Sequence, residues 1–139
     1  MIRLRRVHHR SAVLWELQDE CLPGDRPYRP RPEDVWFVAY DDDQPVAFAG
    51  ARPTEGDPTS WFLCRSGVIE SARGHGLQKR LIRARLRAIQ AAGGNIAYTY
   101  TAIDNPASAN SLIAEGFRAY VPEWRWAGDM NYWRRNASR

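Results

Sequence analysis

Val68-Ile-Glu-Ser-Ala-Arg73-Gly74-His75-Gly76-Leu77-Gln78-Lys-Arg-Leu81 is the stretch that decides the fold of this chain. It begins as the end of an apolar strand, passes through a loop with two glycines, and becomes a strongly patterned helix at once. A strand that hands over to a helix leaves uncapped N–H groups and the positive end of the helix dipole facing one spot, which makes an anion site. Gly74 and Gly76 allow a tight turn and a close backbone approach to a ligand. Arg73 adds a planar, permanently charged partner for a phosphate. The run lacks the Gly-Lys-Ser/Thr of a nucleotide P-loop. With Gln78 after Leu77, it also lacks the third glycine of a dinucleotide fingerprint. The stretch predicts a phosphate-bearing ligand held by another kind of loop.

Beyond Gly76 the apolar positions follow the helical period. Lys79, Arg80, Arg83, Arg87 and Gln90 fall on one narrow face, and Leu77, Leu81, Ile82, Ala84, Leu86, Ala88 and Ile89 cover the rest. Arg85 is the exception, a charge inside the apolar arc, expected to reach an edge or to pair with an acid. Gly93 or Gly94 stops the helix.

Upstream, positions 2–7 read as a first strand, and Val13, Leu14, Leu17 and Cys21 recur at helical spacing behind Ser11. Residues 23–32 hold four prolines, with Tyr28 and three arginines among them. This predicts an irregular arm, either a lid over a site or a plain connection. Positions 35–40 and 45–52 form a predicted hairpin across Asp41-Asp42-Asp43-Gln44. Positions 53–60, with two prolines and a glycine, read as a further loop before a strand over 61–69. Downstream, a strand over 96–103 ends at Asp104-Asn105-Pro106. A short helix then runs to about Glu115, a strand follows from Phe117 to Val121, and a last strand lies around Tyr132-Trp133-Arg134. This order predicts an α/β (α+β) fold with a partly parallel sheet flanked by antiparallel hairpins.

At 139 residues the chain is long enough for a single core, and residues 1–139 are read as one domain. A composition that is 44% hydrophobic and 26% charged is that of an ordinary globular protein. No apolar run approaches the ~20 residues of a membrane span, and no apolar segment follows the basic N-terminus, so the expected location is the cytoplasm. Cys21 and Cys64, far apart, are expected as reduced buried thiols. Three histidines, two of them adjacent, have no metal-ligand spacing, and no metal is expected. The net charge of +4 and the six tryptophans suit a polyanionic partner but do not demand one.

Arg73-Gly-His-Gly-Leu-Gln78 after a strand resembles the Arg/Gln-x-x-Gly-x-Gly/Ala acyl-CoA loop of the GNAT superfamily of N-acyltransferases. Some thirty residues on, Asn105-Pro-Ala-Ser108-Ala-Asn-Ser-Leu112-Ile-Ala-Glu-Gly116-Phe117 resembles that family's Asn-x-x-Ala/Ser…Gly-Phe segment. The resemblance implies a GNAT fold. Its mixed sheet would have about six or seven strands, splayed between two central parallel ones, and would be flanked by three to four helices. The cosubstrate implied is acetyl-CoA. Its pyrophosphate would rest on the backbone from Gly74 through His75, Gly76 and Leu77 to Gln78, with Arg73 beside it. The pantetheine arm would lie along Val68, Ile69 and Glu70 like an added strand, and an N–H near Val68 would polarise the thioester carbonyl. Asn105 and Ser108 would contact the pantetheine or its surroundings. The reaction implied is direct attack by a neutral amine, of a small molecule or a protein, in a ternary complex.

The departures fall at the catalytic positions. Gln78 stands where the loop usually ends in Gly or Ala, and Leu112 stands where many members carry the tyrosine that protonates the leaving thiolate. The candidates near the splay are Cys64, Tyr98, Tyr100 and Thr101, with Glu70 at the strand end. Tyr100 is the first choice for a catalytic group and Glu70 the second. The alternative reading is a GNAT-fold protein that binds acyl-CoA or nucleic acid without catalysis. A homodimer is left open.

Overall fold

In the computed structural model, which describes residues 1–137, the strand segments join into one seven-stranded sheet in the order β1-β2-β3-β4-β5-β7-β6. The strands are β1 (Ile2–Val7), β2 (Val35–Asp41), β3 (Gln44–Thr54), β4 (Asp57–Val68), β5 (Ile96–Ala102), β6 (Arg118–Tyr120) and β7 (Met130–Asn136). The helices are α1 (Ala12–Cys21), α2 (Leu77–Ala91) and α3 (Pro106–Ala114), with a 3-10 turn at Glu70–Ala72. The mixed sheet and flanking helices are those expected from the sequence.

Successive residues of a strand face opposite sides, and the two sides carry different helices. Leu14 and Leu17 of α1 pack with Trp36, Val38 and Phe48. Ile82, Leu86 and Ile89 of α2 pack with Val35, Ala51 and Leu63, joined by Leu112 of α3 and by Phe117. Both cysteines are buried and free. The helix dictated by the 77–90 pattern begins at Gly76, whose φ is +76°, and stops before Gly93 at φ +85°.

Two expectations change. Residues 53–60 do not form a loop: β3 and β4 continue through them to a turn at Glu55-Gly56, with Pro53 opposite Trp61. The prolines fit because Pro53 lies past Ala51, the last β3 residue paired with β2, and Pro58 lies before Ser60, the first β4 residue paired with β5, so no third strand needs their missing N–H. Arg85 neither reaches the surface nor meets an acid. It is 3% exposed and donates to the carbonyls of Gly50 and Leu81, each at 3.2 Å. Gly50 lies where the β3–β4 register shifts between Ala49 and Ala51, so the guanidinium meets the sheet at its irregularity. Burial pushes Arg85 down to about 10, still charged at neutral pH.

Candidate active site

β4 and β5 are parallel neighbours only from Ser60 to Phe62, against Ile96 to Tyr98. The register shift on the β3 side bends β4 away beyond that point, and the two central strands separate. The Thr99 hydroxyl donates to the Leu63 carbonyl at 3.0 Å and closes the apex of the gap. Further along β4, the Ile69 N–H donates to the Val46 carbonyl at 2.9 Å. In an antiparallel ladder the direction alternates, so the N–H groups of Ser66 and Val68 face the opened side.

The loop that follows is built from its own residues. Arg73 Nε donates back to the Val68 carbonyl at 3.1 Å, and His75 Nδ1 sits 2.9 Å from the Arg73 carbonyl oxygen. Gly74 and Gly76 take φ of +84° and +76°, and a Cβ at either would meet nothing within 4 Å. The cradle is therefore open to solvent. No side chain caps α2, and the bond entering its first turn runs from the Arg80 N–H to the Gly76 carbonyl at 3.2 Å. The N–H groups from Leu77 to Lys79 are left without helical partners at the positive end of the dipole.

The gap between the strands is a cavity of about 210 Å³, walled from the α2–α3 side by Gln78, Ile82, Arg85, Ser108, Ser111 and Leu112. From the strands and the opposite side, Phe62, Cys64, Thr99, Tyr100 and Tyr28 complete it. Two of its polar groups are already spoken for. Thr101 Oγ1 accepts from Trp133 Nε1 at 2.9 Å, and burial pushes the Cys64 thiol up to about 12. Cys64 is therefore a thiol at neutral pH and no ready nucleophile.

Of the residues picked from sequence, the fold brings Val68, Ile69, Arg73, Gly74, His75, Gly76, Leu77 and Gln78 into one continuous run from strand end to helix start. Leu77 turns its side chain into the core, leaving only its backbone to face a ligand. Ser108 and Tyr100 line the cavity, whereas Asn105 sits outside it and caps α3, its Oδ1 accepting from the Ser108 N–H at 3.2 Å. Glu70 stands exposed on the 3-10 turn, apart from the cavity wall.

Tyr28 also lines the cavity, and the residue pattern alone gives it no role there. The Gln18 side chain pins it on both sides, accepting from the Tyr28 N–H at 2.8 Å and donating to its carbonyl at 2.9 Å. Two guanidinium groups face its ring, Arg52 at 4.5 Å and Arg65 at 5.6 Å, and burial pushes its phenol well above the usual value. Sequence offered one signal, a lone aromatic residue in an arm rich in prolines and arginines.

The acetyltransferase (GNAT) family profile matches residues 4–113. No curated protein matches the chain in sequence. Among solved structures, the chain is similar to an IAA acetyltransferase from Bacillus cereus, with 16% identity and a TM-score of 0.80 over 98% of this chain and 99% of that one. It is similar also to a Bacillus subtilis acetyltransferase in complex with CoA, at 14% identity and a TM-score of 0.77 over 98% and 99% of the two chains. A third is AAC(6')-Ib in complex with paromomycin and acetyl-CoA, at 16% identity and a TM-score of 0.74 over 97% and 93%.

Proposed function

The chain belongs to the GNAT acetyltransferase family, and we propose that it moves an acetyl group from acetyl-CoA directly to a primary amine, with both bound at once. The observation that carries this reading is the continuity of the cavity between β4 and β5 with the uncapped start of α2. A thioester supplies an activated acyl carbon and a good leaving group; everything else is asked of the chain. The amides of Leu77, Gln78 and Lys79 bind the pyrophosphate, and Gly74 and Gly76 let it come close. Arg73 spends Nε on the Val68 carbonyl and keeps its terminal nitrogens for the phosphate oxygens. The inward N–H groups of Ser66 and Val68 pair with the pantetheine, and the Val68 N–H holds the charge that develops on the carbonyl oxygen.

The step forms the amide C–N bond and breaks the C–S bond. One proton leaves the amine nitrogen and one reaches the departing sulfur. Tyr100, 37% exposed and stacked on Phe62 with centroids 5.8 Å apart, relays the amine proton towards solvent. Tyr28, kept protonated by burial, donates a hydrogen bond to the sulfur and stands in for the tyrosine that Leu112 replaces. Glu70, on its exposed turn, is the second choice for the proton acceptor. Cys64, with a thiol at about 12, supports direct attack over transfer through an enzyme thioester. The test is CoA thiol release from acetyl-CoA with a panel of primary amines, corrected for hydrolysis. Amine-dependent release is expected, with the acetylated amine found by mass spectrometry. Silence across the panel in a protein that binds acetyl-CoA would favour the binding-only alternative.

A further inference from the structure

On the face that carries α1, next to the separated strands, lies a second and larger cavity of about 840 Å³. Phe62, Tyr98, Tyr120 and Trp126 line it. The rings brace one another before any ligand arrives: Phe62 meets Trp126 edge-on at 5.6 Å, and Tyr98 lies 5.8 Å from Tyr120. Trp126 is fixed from behind. The Tyr132 hydroxyl accepts from the Ala127 N–H at 2.9 Å and donates to the Gly128 carbonyl at 2.8 Å, pegging the turn that carries Trp126. Tyr132 also packs edge-on against Trp126 at 5.2 Å. A wall ordered in this way loses little entropy when it closes on a flat ligand.

The charges at the rim are few. Arg52 is neutralised by Asp34, which accepts from its Nε and Nη2 at 2.7 Å each. That leaves Glu33 and Glu55 against Arg31, two carboxylates to one guanidinium, and none of the three has an ion-pair partner among the described residues. Arg134 lies over the Tyr120 ring at 4.5 Å and balances the second carboxylate, so the cavity's surroundings carry no excess of either charge and offer little to a polycation. Phe62 belongs to both cavities, and its stacked partner Tyr100 faces the smaller one. An amine on a short tail can pass over that pair to reach the gap between the strands.

From this we infer that the acceptor is a primary amine carried on a planar aromatic body, with its ring against Phe62, Tyr98 and Trp126 and its amine directed at the splayed strands. The inference rests on the acetyl-transfer reading and adds the class of acceptor. Contacts between rings separate an aryl tail from an alkyl tail of similar size by up to about tenfold in affinity.

The test is equilibrium titration of the full chain, alone and saturated with CoA so that no turnover occurs. The probes are 2-phenylethylamine, n-hexylamine and spermidine. 2-Phenylethylamine is expected to bind about tenfold more tightly than either of the others. In Trp126→Leu, which keeps an apolar side chain but no ring, that preference should vanish while the thermal shift given by acetyl-CoA persists. Equal binding of 2-phenylethylamine and n-hexylamine, tighter binding of spermidine, no binding of any amine, or an undiminished preference in Trp126→Leu would each overturn the inference. Failure of the donor reading would show separately, as no thermal shift with acetyl-CoA.

Discussion

Tyr28 and Tyr100 approach the gap between β4 and β5 by different routes, and the difference sets what each substitution should do. Tyr28 comes from an arm held by Gln18 and lies under two guanidinium groups, while Tyr100 comes from β5 and leans on Phe62 and Trp126. Replacing either tyrosine with phenylalanine keeps the ring and its packing and removes only a hydroxyl. Tyr28→Phe is expected to lower kcat about a hundredfold, the lower end of what general acid–base groups contribute, with the KM for acetyl-CoA and the Tm almost unchanged. Tyr100→Phe should lower kcat by less, because a half-exposed site lets water take over the proton. Steady-state kinetics on the two variants decides the assignment. Full activity in Tyr28→Phe would make that residue part of the wall and nothing more. The sequence marks Tyr28 only as the one aromatic residue of its arm and does not place it. Its position depends on hydrogen bonds to a side chain in the preceding helix and on packing across a sheet that the arm itself does not join.

At the scale of elements, α3 owes its start to Asn105. Asn105 is the anchor of the second family-like segment, and the resemblance has it contact the pantetheine or its surroundings. In the fold its side chain caps the helix that carries Ser108 and Leu112 into the cavity wall, with Pro106 in the first turn. Loss of an N-cap costs about 1 kcal/mol, and aspartate caps as well as asparagine does. Asn105→Ala should therefore lose about that much stability in urea unfolding and bind acetyl-CoA more weakly. Asn105→Asp should keep both. An aspartate variant with wild-type stability and weakened acetyl-CoA binding would return the amide to the ligand. The glycine loop was readable because everything it needs lies within a few consecutive residues: a strand end, two φ-permissive positions and an amphipathic start. The hairpin through residues 53–60 was not readable, because proline breaks a strand only where a neighbour needs its N–H, and the neighbour is missing there. The Gly50 carbonyl that Arg85 meets was hidden because a register shift in a distant hairpin leaves no mark in the residues around the arginine.

For the whole molecule, the order of strands and helices divides the labour between two faces of one sheet. The α2–α3 side presents the anion loop and the cavity wall, the α1 side presents the aromatic cavity, and the separated strands join the two. Three of the tryptophans, Trp36, Trp61 and Trp133, are buried in the core that holds this sheet together, so they are not free to stack on nucleic acid. Among the described residues, no helix is long and apolar enough to cross a membrane. Acetyl transfer by this chain requires the donor to be held at the start of α2. Gly76 is the position to alter. A side chain there meets no protein atom within 4 Å, so a tryptophan fills the open side of the loop from which a pyrophosphate must approach, and its φ of +76° strains any non-glycine residue in the free and bound states alike. The measurement is the thermal unfolding of wild type and Gly76→Trp with and without acetyl-CoA at about a hundredfold over Kd, where a single site adds about 2.7 kcal/mol. The wild type should gain roughly 8 °C. Gly76→Trp should start from a lower Tm and gain nothing. A wild type that does not respond to acetyl-CoA, or a Gly76→Trp protein that gains as much as the wild type, would contradict this placement of the donor.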